Sequence, residues 1–88
     1  MKDSIKILLL DDSDSQVESI TNLLKDSEYT TTLLIARDKK SFTDILDNNH
    51  VDVLISTHIL PDGFNSLHAF RIAKNIYPSV LCILLSGC

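Results

Sequence analysis

Polar residues that could do chemistry stand directly after three of the four apolar runs in this chain. Asp11 and Asp12 follow the first run, Thr57 follows the third and Ser86 follows the fourth. Carboxylate oxygens are ligands for hard cations, whereas a hydroxyl becomes a nucleophile only when a general base takes its proton. The sequence therefore predicts a polar site made of an acidic pair and two hydroxyls, provided that the ends of these runs meet in the fold.

The apolar runs themselves are typical of buried strands. They are apolar at successive positions, and not only at alternate ones, which is the pattern of strands covered on both faces of a parallel sheet. Segments with apolar residues at helical spacing lie between them. The chain therefore predicts the order βαβαβαβ. The four predicted strands are residues 5–10, 29–36, 51–56 and 80–85.

Capping residues predict where the helices begin. The first helix is expected to start after Ser13 or Asp14 as its N-cap and to reach about residue 27. The second is expected to follow the cap candidates Asp38 and Ser41. For the third helix, one apolar stripe is expected to face the sheet: Leu67, Phe70, Ala73 and Ile76.

Strands that alternate with helices in one small domain predict an α/β fold with a parallel sheet and right-handed crossovers. The carboxyl ends of parallel strands meet at the same edge of the sheet, where ligands bind in such folds. Asp11, Asp12, Thr57 and Ser86 all fall at such ends. We therefore expect these four residues to gather at one edge.

Composition and charge limit the classes of protein to which this chain can belong. The 88 residues make one small domain, and the 44% of apolar residues argue for a packed core. A net charge of -4, with no basic run beyond Lys39-Lys40, predicts no binding to nucleic acid or to a membrane.

Cys82 and Cys88 lack the spacing of a zinc site or disulfide framework, and the first apolar run is too short for a signal peptide. A cytoplasmic protein with reduced thiols is expected.

Three passages carry a resemblance to a known family: the acidic pair Asp11-Asp12, residues 53–63 (VLISTHILPDG) and residues 84–87 (LLSG). Together they resemble the CheY-like receiver domains of response regulators in two-component signalling, over nearly the whole chain. Asn65 stands near the place of the family's usual glycine before the third helix and is expected to take a left-handed conformation. The resemblance implies a flavodoxin-like, three-layer αβα fold with strand order 2-1-3-4. Residues 1–88 would form one truncated receiver-like domain, without the family's fifth strand and last helices.

The resemblance also implies roles for the polar residues. In that family the acidic pair holds magnesium, an aspartate four residues before the turn proline accepts a phosphoryl group, and a serine or threonine hydrogen-bonds the phosphate in a phosphorelay. Asp11 and Asp12 match the acidic pair. Thr57 occupies the acceptor place, four residues before Pro61, and Ser86 matches the switch hydroxyl. The lysine that completes the family's site has no counterpart in this chain.

Thr57 changes the chemistry that the resemblance implies. A carboxylate is nucleophilic at neutral pH, whereas a threonine hydroxyl needs a base and would give a stable ester. Thr57 also leaves the cation site with one carboxylate fewer, which weakens the binding of a hard cation. Asp11 and Asp12 are therefore expected to form a vestigial site that binds Mg²⁺ weakly. We expect a degenerate receiver that is not an enzyme and needs no cofactor, with Thr57 and Ser86 as remnants of the phosphate switch.

The fourth apolar run is expected to be a contact surface. It is apolar on both faces, which is typical of a central strand, yet the family's strand order makes it an edge here. We therefore expect a phosphorylation-independent interaction module that forms a homodimer, by edge pairing or by exchange of elements, or that binds another signalling protein. The residues of this interface are Val80, Leu81, Cys82, Ile83, Leu84 and Leu85.

Other interpretations remain open. Asp12-Ser13-Asp14 after a strand resembles the DxD motif of haloacid-dehalogenase-type phosphatases, although Asp11 intervenes and the later motifs of that family have no room. The chain can also be a fragment of a longer atypical response regulator, in which other residues cover the fourth strand. The acidic pair, finally, can be no more than a solvated turn and a helix cap.

Overall fold

The computed structural model describes residues 4–25, 30–57, 60 and 63–85. Strands and helices alternate in the predicted order βαβαβαβ. The strands are β1 (Ser4–Leu10), β2 (Thr30–Ala36), β3 (Val53–Thr57) and β4 (Leu81–Leu85). The helices are α1 (Asp14–Lys25), α2 (Lys39–Asn48) and α3 (Ser66–Ile76). None of these helices is both long and apolar enough to cross a membrane.

The four described strands form one parallel sheet in the order β2-β1-β3-β4. β1 lies inside the sheet and pairs with β2 along its whole length, from Ser4 opposite Thr30 to Leu10 opposite Ala36. On its other side β1 pairs with β3, where Leu10 lies opposite Ser56. The predicted α/β class and the strand order implied by the receiver resemblance are confirmed.

Side chains alternate between the two faces of the sheet and build a core on each. β1 contributes to both cores, with Leu8 and Leu10 on one face and Ile7 and Leu9 on the other, none more than 6% exposed. The larger core lies under α2 and α3, and the smaller one lies under α1. The helices contribute Phe42, Leu46, Ala69 and Ala73 to the larger core, and Val17, Ile20 and Leu24 to the smaller. The predicted three-layer arrangement is therefore confirmed.

Polar side chains cap α1 and α2 as predicted. The Ser13 hydroxyl accepts a hydrogen bond from the Gln16 backbone N–H at 3.4 Å, which makes Ser13 the N-cap of α1. The Asp38 carboxylate accepts from the Ser41 backbone N–H at 2.8 Å, and the Ser41 hydroxyl accepts from the Asp38 backbone N–H at 3.3 Å. This reciprocal pair is a capping box. The backbone and then the side-chain hydrogen bond from Ser41 hold the pKa of the Asp38 carboxyl below its ordinary value.

α3 packs on the sheet through part of the predicted stripe. Within that stripe, Ala73 is fully buried and Phe70 packs against the larger core, whereas Leu67 and Ile76 are 63% and 41% exposed. Ala69, which is not part of the stripe, is also fully buried. Small side chains at a contact shorten the distance between the packed elements, so the alanines allow α3 to lie close to the sheet. The larger apolar residues at the two ends of the stripe therefore remain at the surface.

The turn before α3 also differs from the prediction. Among the described residues of this turn, Gly63 has a positive φ, of 86°, whereas Asn65 is extended with φ -121° and ψ 169°. Asn65 serves instead as the N-cap of α3, where its Oδ1 accepts from the His68 backbone N–H at 3.0 Å. The expectation of a left-handed Asn65 is wrong because the glycine, which has no Cβ, takes that conformation two residues earlier.

β4 lies at the edge of the sheet, paired with β3. The strand begins at Leu81, one residue later than predicted. Val80 precedes the strand and is 2% exposed, so its side chain belongs to the larger core and not to the surface of the edge.

Replacing Asp38 with alanine removes the cap of α2 and is expected to lower the Tm at pH 7. Because the pKa of this carboxyl is lowered in the folded state, its contribution is present above the ordinary carboxyl pKa of about 4 and is lost as the pH falls through the lowered value. The difference in Tm between wild type and variant should therefore shrink in acid. Asp47→Ala, near the other end of α2, removes the same charge and should leave the Tm unchanged or slightly raised. Equal losses in the two variants would contradict the capping role.

Candidate functional site

The carboxyl ends of β1 and β3 bring two of the predicted site residues together. The Cα atoms of Leu10 and Ser56 are partners in the parallel register. Asp11 and Thr57 are the next residues along the two strands, so they take neighbouring positions at the carboxyl edge of the sheet. Ser86 lies outside the described residues, and its place at this edge stays a prediction.

Asp11 is the buried acid of this edge, with 2% of its surface exposed. Its backbone N–H donates to the Ala36 carbonyl at 3.0 Å and so continues the pairing of β1 with β2. Its Oδ1 accepts from the Ser13 backbone N–H at 2.9 Å. Its Oδ2 is buried and has no hydrogen-bond partner among the described residues. A buried carboxylate oxygen without a partner is costly, so this atom is a place where a cation or a donor would bind favourably.

The second acid, Asp12, is exposed in the loop between β1 and α1. Arg37 reaches this loop, where its Nη1 donates to the Asp12 carbonyl at 3.3 Å and lies 2.9 Å from Asp14 Oδ1. An exposed ion pair contributes little stability, but it places a positive charge beside the acidic pair. Sequence reasoning missed Arg37, although its position directly after β2 puts it at the same carboxyl edge.

Thr57 is half-buried at the end of β3. Its carbonyl oxygen accepts a hydrogen bond from the hydroxyl of Ser56 at 2.8 Å, and Ser56 is fully buried. Its own hydroxyl can attack a phosphoryl donor only if a base takes the proton. His58, the next residue, lies outside the described part of the chain. The structure therefore places a hydroxyl, and not a carboxylate, in the position next to Asp11.

Magnesium is the cofactor that the receiver resemblance implies for this edge. Mg²⁺ prefers oxygen ligands in an octahedral arrangement and is commonly held by one or two carboxylates with several waters. The unpartnered Oδ2 of Asp11 fits such an ion, and Asp12 offers a second carboxylate in the same loop. Within the described residues there is no group of three or more His, Cys, Asp or Glu that could hold a metal. These donors therefore fit a weakly held hard cation.

Comparison with known proteins connects this geometry to a family. No protein-family model matches the chain, and no curated protein matches it. Among solved structures, the chain is similar to the crystal structure of the signal receiver domain of an HD domain-containing protein from Pseudomonas fluorescens Pf-5, with 31% identity and a TM-score of 0.76. The match covers 96% of this chain and 60% of that one, so this chain spans less than two thirds of the structure that it matches. The predicted resemblance is confirmed: the chain is similar to the CheY-like receiver domains of two-component signalling and has their flavodoxin-like fold.

Proposed function

We propose that this chain is a degenerate receiver domain, a two-component-type signalling module that acts through protein contacts and does not accept a phosphoryl group. The observation that carries the proposal is Thr57 at the carboxyl end of β3, in the register position beside the buried Asp11. The similarity to a signal receiver domain supports a signalling module. In this proposal the protein is cytoplasmic, is not an enzyme, and binds neither nucleic acid nor membrane.

A threonine in this position removes both a nucleophile and a metal ligand. Phosphorylation of a carboxylate gives a reactive mixed anhydride, whereas a threonine phosphoester is stable and unsuited to a reversible switch. The remaining acids, Asp11 and Asp12, would hold Mg²⁺ weakly, through the unpartnered Oδ2 and the exposed carboxylate. Arg37 places a positive charge beside this loop, where it pairs with Asp14 and not with the buried Oδ2 of Asp11.

The edge strand β4 is the surface that we propose for protein contact. Leu81, Ile83 and Leu84 are 57%, 39% and 47% exposed. Leu81 and Ile83 register with Val53 and Ile55, which belong to the smaller core under α1, so they continue that face of the sheet beyond the helix. Leu84 lies on the opposite face. Apolar side chains therefore flank the β4 edge of the described sheet on both sides.

A second copy of the chain suits this edge. The sequence of β4, LCILL, contains no charged residue, so two copies can pair without opposing like charges across the strands. Burial raises the pKa of the Cys82 thiol, which keeps this side chain uncharged at neutral pH. A two-fold axis would set the two β4 strands antiparallel and join the two sheets into one. Exchange of elements, or another signalling protein, is the alternative way to cover the same surface.

Incubation with acetyl phosphate and MgCl₂ is expected to leave the intact mass of the protein unchanged, because Thr57 does not attack the donor. Thr57→Asp restores a carboxylate at the end of β3 and is expected to bind Mg²⁺ at least about tenfold more tightly than wild type, as measured by calorimetry.

Thr57→Val, which keeps the shape and lacks the hydroxyl, is the matched control and should behave as wild type in both assays. A phosphoryl adduct that disappears in Thr57→Val would contradict the proposal. Turnover of p-nitrophenyl phosphate would favour the phosphatase alternative.

Asp11→Asn keeps an oxygen for the Ser13 backbone N–H and removes the buried charge. In EDTA it is expected to raise the free energy of unfolding by about 1 kcal/mol, and it should abolish any stabilisation by Mg²⁺. Urea denaturation with EDTA or with Mg²⁺ measures both effects. Asp12→Asn removes the same charge at an exposed position and should change the stability in EDTA by less than about 0.5 kcal/mol. A destabilised Asp11→Asn variant would mean that Oδ2 already has a favourable partner.

Light scattering at micromolar concentration is expected to give the mass of a dimer. Ile83→Lys places a charge on the edge and should raise the dimer Kd at least about tenfold. Leu23→Lys, at a residue of α1 that is 70% exposed, is the matched control and should leave the mass unchanged. Since each copy carries a net charge of -4, added salt should strengthen the dimer. A monomeric wild type, or a dimer that Leu23→Lys disrupts and Ile83→Lys does not, would rule out association through β4.

A further inference from the structure

A cavity of about 200 Å³ opens at the amino-terminal edge of the sheet. Residues 50–52, just before β3, and residues 76–80, from the last residue of α3 to the residue before β4, line it. Because the described strands are all parallel, this edge is opposite the one that carries Asp11 and Thr57. The cavity is therefore separate from the receiver-type site.

The inner wall of the cavity is apolar and held in place. Val51 and Val80 are 1% and 2% exposed. The Tyr77 hydroxyl lies 3.0 Å from the carbonyl oxygen of Leu46 and 2.6 Å from that of Asn49, and its single proton is shared between these two acceptors. These contacts fix the tyrosine ring at the end of α2, so the wall needs little reorganisation when a ligand binds.

A carboxylate stands at the polar end of the cavity. Asp52 Oδ2 accepts from the Lys6 backbone N–H at 2.9 Å, and Oδ1 lies 3.2 Å from His50 Nε2. The Asp52 side chain remains 39% exposed despite these contacts. The His50 ring packs nearly perpendicular to the Tyr77 ring, with 4.8 Å between centroids. The cavity therefore combines an ordered aromatic wall with an accessible negative charge.

We propose that this cavity binds a small aromatic amine, with the ring against Tyr77 and Val80 and the ammonium group on the carboxylate of Asp52. Volume supports a ligand of one ring, because an apolar cavity of about 150 Å³ engineered in another protein takes up benzene. An ammonium group donates charged hydrogen bonds to a carboxylate and is attracted to aromatic rings. An anionic ligand is disfavoured by Asp52 and by the net charge of -4.

Titration of benzylamine into the nitrogen-labelled full chain, followed through backbone amide resonances, tests the proposal. Saturable shifts are expected at residues 50–52, 76, 77, 79 and 80, the lining residues that have a backbone N–H. The Kd of benzylamine should be at least about tenfold lower than that of benzyl alcohol, the neutral ligand of the same size. Benzoate should not bind.

Substitutions test separately how the charge of the cavity and its shape contribute to ligand binding. Asp52→Asn keeps an oxygen for the Lys6 backbone N–H and is expected to abolish the preference for the amine. Asp47→Asn, an equal charge change outside the cavity, should keep that preference. Ser79→Leu fills the mouth and should abolish binding of both ligands, while the amide spectrum reports whether each variant is folded. Equal affinity for benzylamine and benzyl alcohol, an undiminished preference in Asp52→Asn, or shifts confined to other parts of the chain would overturn the proposal.

Discussion

β1 is hydrogen-bonded to β2 on one side and to β3 on the other, and Leu8, Leu9 and Leu10 are completely excluded from solvent. Because alternate residues of a strand enter opposite faces of a sheet, this one strand supplies side chains to both cores. The three helices pack on faces that β1 helps to build. The position of the site follows from the same strand, since polar residues begin where its buried segment ends.

At the end of β1, the chain changes from apolar core residues to polar site residues within two positions. Asp11 continues the pairing with β2 through its backbone N–H, yet it brings a carboxylate into a buried position. One carboxylate oxygen is satisfied by the backbone of the following loop, and the other has no partner among the residues that the structure describes. With Thr57 in the neighbouring position, this edge sets a buried carboxylate beside a hydroxyl at the carboxyl ends of β1 and β3.

The lateral edge of the sheet presents a different physical problem from its carboxyl edge. β4 has apolar side chains on both faces, which suits a strand inside a sheet, but it is paired only with β3 in the described part of the chain. An uncharged, exposed edge strand favours pairing with other strands, so natural proteins usually cover or charge such an edge. In the proposed interaction, a partner would cover the same apolar surface that costs free energy while β4 is exposed.

The order of strands and helices and the caps at Ser13 and Asp38 were determined by the sequence, because each depends on local hydrogen bonding and on the spacing of apolar residues. The neighbouring positions of Asp11 and Thr57 followed from the parallel topology. The contact of Arg37 with Asp12 joins residues 25 positions apart, and the hydrogen bond from Tyr77 to α2 spans 31 positions. The buried alanine face of α3 depends on its distance from the sheet. Only the tertiary structure decided these features, because side-chain contacts between distant segments are set by how the layers pack and not by any local pattern.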